Sequence, residues 1–113
     1  MSSVSYPDRL FQLWEYRVSH GGLMIRSPRG PNTSTNVDLI FDGVELLCCA
    51  RILRGLELVQ PEEGDVAKVY DFLGELAGSD GVFVFASEGV RHIVVASSFR
   101  VVEHEGDIFD SPF

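Results

Sequence analysis

The groups able to do chemistry in this chain are few: His20, His92 and His104, the adjacent Cys48 and Cys49, Ser97 and Ser98, and the loop arginines Arg26 and Arg29. Nucleophilic catalysis requires a base within hydrogen-bond reach of a serine or cysteine. Ser97 and Ser98 share a strand-like run with His92, but no spacing in the sequence links them. There is no G-x-S-x-G elbow, Walker loop or G-x-G-x-x-G, and Glu62 beside Glu63 suits a helix start better than an acid/base pair. No catalytic residue is therefore assigned, and enzymatic activity is not expected.

Metal chemistry is suggested first by Glu103-His104-Glu105. On a strand, consecutive side chains alternate sides, so the two carboxylates face one way and the imidazole the other. Three such ligands cannot converge on one ion, and neither CxxC nor HxxxH is present. Cys48 and Cys49 alternate in the same manner, so their sulfurs diverge and a disulfide between them would strain the backbone. They read as two reduced thiols in a core. No metal and no cofactor is expected.

Arg26 and Arg29, in "IRSPRGPN", are the candidate anion-binding residues, because guanidinium groups beside a Gly/Pro loop can hold a carboxylate or phosphate. Trp14 and Tyr16 read first as core side chains, with a ligand platform as the alternative role. His92 reads as a core or rim histidine holding one hydrogen bond.

These residues sit on a framework of glycine-marked reversals: His20-Gly21, Asp42-Gly43, Arg54-Gly55 and Glu88-Gly89, each between apolar strand-like segments. Two-residue hairpin turns need positive φ, which Gly supplies. A turn at His20-Gly21 would pair Glu15 with Arg26 and put Trp14, Tyr16, Val18, Leu23 and Ile25 on one face. A turn at Asp42-Gly43 would pair Phe41 with Val44 and Leu39 with Leu46. A turn at Arg54-Gly55 would lead into "LELVQ", where Glu57 breaks the alternation and suggests a bulge or sheet edge. A turn at Glu88-Gly89 pairs Phe83 with Val94, Val84 with Ile93 and Phe85 with His92. The strand after it outruns its partner, so residues 97–104 must pair elsewhere, with the N-terminal hairpin or a second subunit.

One helix is predicted at about residues 62–77, from Val66, Val69, Tyr70, Leu73, Leu76 and Ala77 at spacings of three and four. Either Pro61 opens it with Gly64 tolerated inside, or Asp65 caps a shorter helix. The expected fold is α+β: a strongly twisted antiparallel sheet of about six to seven strands built from hairpins, covered by one amphipathic helix. A partly closed barrel is an alternative curvature for the same sheet. The 113 residues form one domain, with a flexible N-terminus (about 1–7) and an acidic C-terminal tail (about 105–113).

The net charge of −8 concentrates around the helix, where Glu62, Glu63, Asp65, Asp71, Glu75 and Asp80 face only Lys68. Binding to nucleic acid or to anionic membranes needs a basic footprint, so neither is expected. No apolar run reaches the ~20 residues of a membrane span. The N-terminus lacks a signal-peptide pattern, and the chain is expected to be cytoplasmic. Arginine supplies nearly all the basic residues, which suggests a bacterial source.

Three functions follow. The first is a non-enzymatic interaction module that self-associates, as a dimer, through the unmatched strand at 97–104. The second is an immunity- or inhibitor-type protein that neutralises a basic toxin or nuclease, since opposite potentials accelerate encounter. The third is a small-ligand binder with a pocket between helix and sheet, lined by Trp14, Tyr16, Phe83 or Phe85.

Overall fold

The computed structural model describes residues 4–31, 33–76 and 80–106. They form one antiparallel sheet of eight segments: β1 (Ser5–Arg17), β2 (Gly22–Ser27), β3 (Asn36–Asp42), β4 (Leu46–Cys48), β5 (Ile52–Val59), β6 (Gly81–Ser87), β7 (Val90–Ala96) and β8 (Ser98–His104). A single α-helix, α1 (Glu63–Leu73), lies between β5 and β6. The class is the α+β arrangement expected, with slightly more strands.

The strand order is β4-β7-β6-β5-β1-β2-β3-β8. Its two ends are continuations of interior strands, because β3 runs into β4 through Gly43 and β7 runs into β8 through Ser97. Asp42 opposes Ser98, and a few residues on, Leu46 opposes Val95 on the same two paths. Glu45 N–H to Val95 O at 2.8 Å and Ser97 N–H to Asp42 O at 3.0 Å bridge the kink. The sheet thus closes into a ring of β1, β2, β3–β4, β7–β8, β6 and β5. Closure explains where residues 97–104 pair: β8 lies along β3 of the same chain.

Alternation then sorts side chains into two cores. The ring interior takes Phe11, Leu23, Ile25, Val37, Leu39, Phe41, Leu53, Phe85, Val94 and Ala96, with Leu47, Cys49, Phe83, Phe99 and Val101 packed against them. At its centre Phe41 and Phe99 stack at 4.8 Å between ring centroids, and Phe85 meets both edge-on. The intervening residues Val84, Ile93 and Val95 point outward and are covered by Val69 of α1, with Leu46, Cys48, Leu73 and Leu76 around them. The helix therefore packs on the aliphatic outside of the ring and does not cover the aromatic face.

Two expected turns are corners instead. Gly43 has φ +65, and its backbone lies so close to Ser97 that a Cβ there would overlap the Ser97 hydroxyl. It bends one continuous strand, so Phe41 opposes Phe99 and not Val44. Gly55, at φ +75, sits inside β5 opposite a bulge in β1 between Tyr6 and Leu10. Positive φ suits a bulge as well as a hairpin, and local sequence does not separate them. The Glu88-Gly89 hairpin has the expected register throughout.

The first hairpin is longer than a two-residue turn allows. A 3-10 turn, Val18–His20, and left-handed Gly21 separate its strands, so Tyr16 opposes Leu23 and Gln12 opposes Arg26. A bulge between Leu13 and Glu15 carries Trp14. Trp14 is consequently not on the core face where alternation from the turn places it.

Helix α1 starts from Glu62 through a capping box: the Asp65 carboxylate accepts from Glu62 N–H at 2.7 Å, and the Glu62 side chain returns the bond. It closes at Gly74, φ +77, short of Gly78, which lies outside the described residues with Ala77. Of the N-terminal segment expected to be flexible over about 1–7, Ser5 to Pro7 belong to β1, while residues 1–3, like 107–113 of the expected acidic tail, lie outside the described residues. Val4 is buried, and its carbonyl accepts from Leu58 N–H at 2.9 Å.

Candidate functional site

The densest polar constellation lies on the outer face of β2, β3 and β8. Arg26 and Asp38 are direct cross-strand partners, since Ile25 and Leu39 take the inward positions beside them. Arg26 is fully buried and grips Asp38 with two bonds, Nε to Oδ1 at 2.6 Å and Nη2 to Oδ2 at 2.9 Å. Planar guanidinium matches carboxylate in this fork geometry. The guanidinium carbon lies 5.4 Å from the Trp14 ring centroid, so the bulged indole covers the cation.

His104, one strand further, places Nε2 2.7 Å from Asp38 Oδ2. Burial pushes the Asp38 carboxyl upward, but hydrogen bonds and charge from Arg26 and His104 outweigh it and hold the carboxyl below its usual value. Asp38 is therefore an anion clamped from both sides.

Around this centre, polar side chains fasten the loop between β2 and β3 and the end of β8. Arg9 donates to Ser27 Oγ at 2.9 Å, to Ser27 O at 3.1 Å and to Thr35 O at 2.7 Å. Asn36 accepts from Arg29 N–H at 2.9 Å and donates to Gly106 O at 2.8 Å. Arg29 Nη1 donates to Glu105 O at 3.0 Å, and Thr35 donates to Glu103 at 2.7 Å.

Of the residues singled out from sequence, Trp14 and Arg26 come together, Arg29 stands on the adjoining loop, and Tyr16 is elsewhere. The guanidinium of Arg26 is engaged by Asp38 and turned away from solvent. Asp38, Asn36 and Arg9 are the members that sequence reading missed. For Asp38 the signal was a polar residue of the right parity within an apolar run, "NVDLIF"; Arg9 and Asn36 lie in polar surroundings and had none.

The remaining reactive groups are placed as follows. His92 Nδ1 accepts from Ala50 N–H at 3.1 Å, and burial pushes its imidazole below the usual value. Its bond anchors the short crossing from β4 to β5. Cys49 faces the ring interior and its thiol is pushed up to about 11 by burial and by neighbouring Cys48, which faces outward. Among the described residues, no three His, Cys, Asp or Glu side chains are arranged to hold a metal ion. At the N-terminus of α1, Arg91 bonds Asp65 at 2.7 Å and Gln60 O at 3.0 Å, fixing the helix to β7.

Among the surface depressions of the described residues, two bear on the residues singled out above. Tyr16, half-exposed at the ring's rim, forms with Val44, Glu45, Leu46 and Leu47 a depression of about 200 Å³. Leu46 also packs, with Leu73 and Leu76, against the Val69, Val84, Ile93 and Val95 cluster beneath the helix. A more polar depression of about 350 Å³ is lined by Ser5, Pro7, Arg54, Glu57, Ser87 and Glu88, among others. Phe83 and Phe85 lie inside the ring and line neither.

No helix among the described residues is long and apolar enough to cross a membrane. Comparison with protein-family models, with curated proteins and with solved structures gives no significant match.

Proposed function

We propose that the protein is a non-enzymatic interaction module that docks a basic protein partner on the rim depression lined by Tyr16, Val44, Leu46 and Leu47. The observation that carries this reading is a contrast. The charged network at Asp38 is engaged by hydrogen bonds within the chain, whereas half-exposed Tyr16 and the apolar side chains of the rim depression are left at the surface. Apolar surface with a charged border is the anatomy of a transient interface.

The border selects the partner. Glu45 lines the depression and is exposed, and the helix nearby carries the exposed carboxylates of Glu63 and Asp71, with Glu75 just past its end. A second copy would bring acidic rims together, whereas a basic rim would pair with them. Self-association through residues 97–104 loses its motive, because that segment is paired with β3. A basic partner suits an inhibitor-type role.

Light scattering on the purified chain at high micromolar concentration gives a monomer on this reading. A dimer lost in Tyr16→Arg would replace the reading with self-association. The immobilised chain should retain a basic protein from its source cells, released by salt and not retained by Tyr16→Arg. Retention of acidic proteins only, or retention indifferent to Tyr16→Arg, contradicts the proposal.

A further inference from the structure

We propose that the polar depression between β5 and the β6–β7 turn is a binding site for a free diamino acid of the lysine type. It brings Arg54, Glu57 and Glu88 together around about 350 Å³, with the hydroxyls of Ser5 and Ser87 beside them. Among the described residues, none of these three charged side chains makes an ion pair or hydrogen bond, with one another or with a neighbour. Opposite charges thus line one cleft and leave each other unmatched. At Asp38, by contrast, cation and carboxylate are closed on one another.

Three departures from regular strand geometry build the cleft. Leu53 and Leu56 both enter the ring interior, which strict alternation over three residues forbids. Gly55, at φ +75 between them, absorbs the extra residue, so Arg54 and Glu57 emerge on the same outer face. Along the ladder, Glu57 is flanked by Ser5 on β1 and Ala86 on β6, and these short side chains leave the hollow around it. Pairing of β5 with β6 stops at that row, and beyond it the Ser87 hydroxyl reaches across to the Arg54 carbonyl at 3.4 Å. Glu88 completes the wall at φ +50, and no other non-glycine residue among those described has a positive φ. Asn or Gly would fill this turn with less strain, and strain of this kind collects at binding sites.

The pattern of charges selects the ligand. A guanidinium grips a carboxylate in a two-bonded fork, and two carboxylates match two ammonium groups. A diamino acid carries that set: its carboxylate goes to Arg54, and its α- and side-chain ammonium groups go to Glu57 and Glu88. The oxygens of Ser5 and Ser87 accept ammonium protons left over. Arg54 and Glu57 are separated by roughly 10 Å of strand at most, a span that their side chains and a ligand of this length fill. Arg91, the next cation across Ala86, is held by Asp65 and Glu62 and does not compete. Asp8 lines an adjoining depression that shares Arg54, and it makes no bond to that guanidinium. The cleft shares no residue with the rim depression at Tyr16, so each reading stands without the other.

The test titrates the intact, isotope-labelled protein with L-lysine at low ionic strength, where exposed charges are least screened. The amides of Gly55, Ser87 and Gly89 should shift together and saturate, with a midpoint at about 1 mM or below. Cadaverine lacks the carboxylate and Nα-acetyl-L-lysine lacks one ammonium. Each should bind at least about tenfold more weakly, the loss of one charge-assisted pairing. Arg54→Gln should weaken L-lysine binding by a similar factor. So should Glu88→Gly, which suits the positive φ and removes the carboxylate without harming the turn. No saturation below about 10 mM, equal binding of cadaverine or Nα-acetyl-L-lysine, or an affinity untouched by Arg54→Gln and Glu88→Gly would each overturn the proposal.

Discussion

Asp42 and Ser98 face each other where two kinked strands cross-pair, and the Asp42 carbonyl there accepts both the Ser97 amide at 3.0 Å and its hydroxyl at 2.9 Å. This seam joins β3–β4 to β7–β8 and removes the free edge that a hairpin reading of the sequence leaves on each. Exposed edges invite pairing with other chains, and ring closure abolishes them.

The seam depends on glycine. Gly43→Ala should destabilise the fold by about 1–3 kcal/mol, since a side chain there is strained at positive φ and meets Ser97. Gly55→Ala should cost at least as much, because its Cβ would stand 2.6 Å from the Pro7 carbonyl, a backbone atom that cannot swing aside. Urea denaturation measures both, and a loss under about 0.5 kcal/mol would contradict the corner geometry.

The ring interior is closed by aromatic packing. Phe41 touches Phe83, Phe85 and Phe99, and its complete burial leaves no route for solvent to fill the gap. Phe41→Ala should cost about 3–5 kcal/mol. The exposed Phe72→Ala is the matched control on the same measurement, with a change within about 0.5 kcal/mol.

The Arg26–Asp38 pair makes a sharper statement. Asp38→Asn strands a buried guanidinium and should cost about 3–5 kcal/mol, while the double change Arg26→Met with Asp38→Leu should recover most of that loss. The pH profile follows from depressed values. The folded Asp38 resists protonation, so its contribution is present above the unfolded carboxyl pKa of about 4 and disappears as pH falls through the folded value. His92 also resists its proton in the fold, so stability declines earlier, from about pH 6.5 downward, as the unfolded chain takes up that proton first. In His92→Gln that first decline should be absent from the stability curve.

The two thiols should differ. Cys49, raised to about 11 and facing the ring interior, carries very little thiolate at pH 8, and thiolate is the reactive form. Peptide mapping after brief alkylation of the native protein should find label on Cys48 before Cys49. Equal labelling would place Cys49 outside the core.

The sequence made some of this fold legible and not the rest, for reasons that the particular residues show. The Glu88-Gly89 hairpin was read to the residue, because two apolar runs of matching length flank a turn that fits only one register. Asp42-Gly43 looked the same locally and proved to be a corner, since positive φ serves both and the choice rests on pairing with distant β7 and β8. Cys48 and Cys49 were placed on opposite faces because strand alternation alone decides that. Arg26 was noticed as a cation, yet its partner Asp38 depends on the β2–β3 register across a loop, which no local pattern supplies. Asn36, Arg29 and Gly106 meet only after closure brings β8 beside β3.

Closure of the ring within one chain is most directly tested by nuclear Overhauser contacts across the β3–β8 seam, recorded on a mixture of labelled and unlabelled protein. The account predicts contacts between Phe41 and Phe99 and between Leu39 and Val101 that arise within single chains and persist on dilution. Contacts found only between chains, or amides of residues 98–104 exchanging as freely as an open edge, would contradict it.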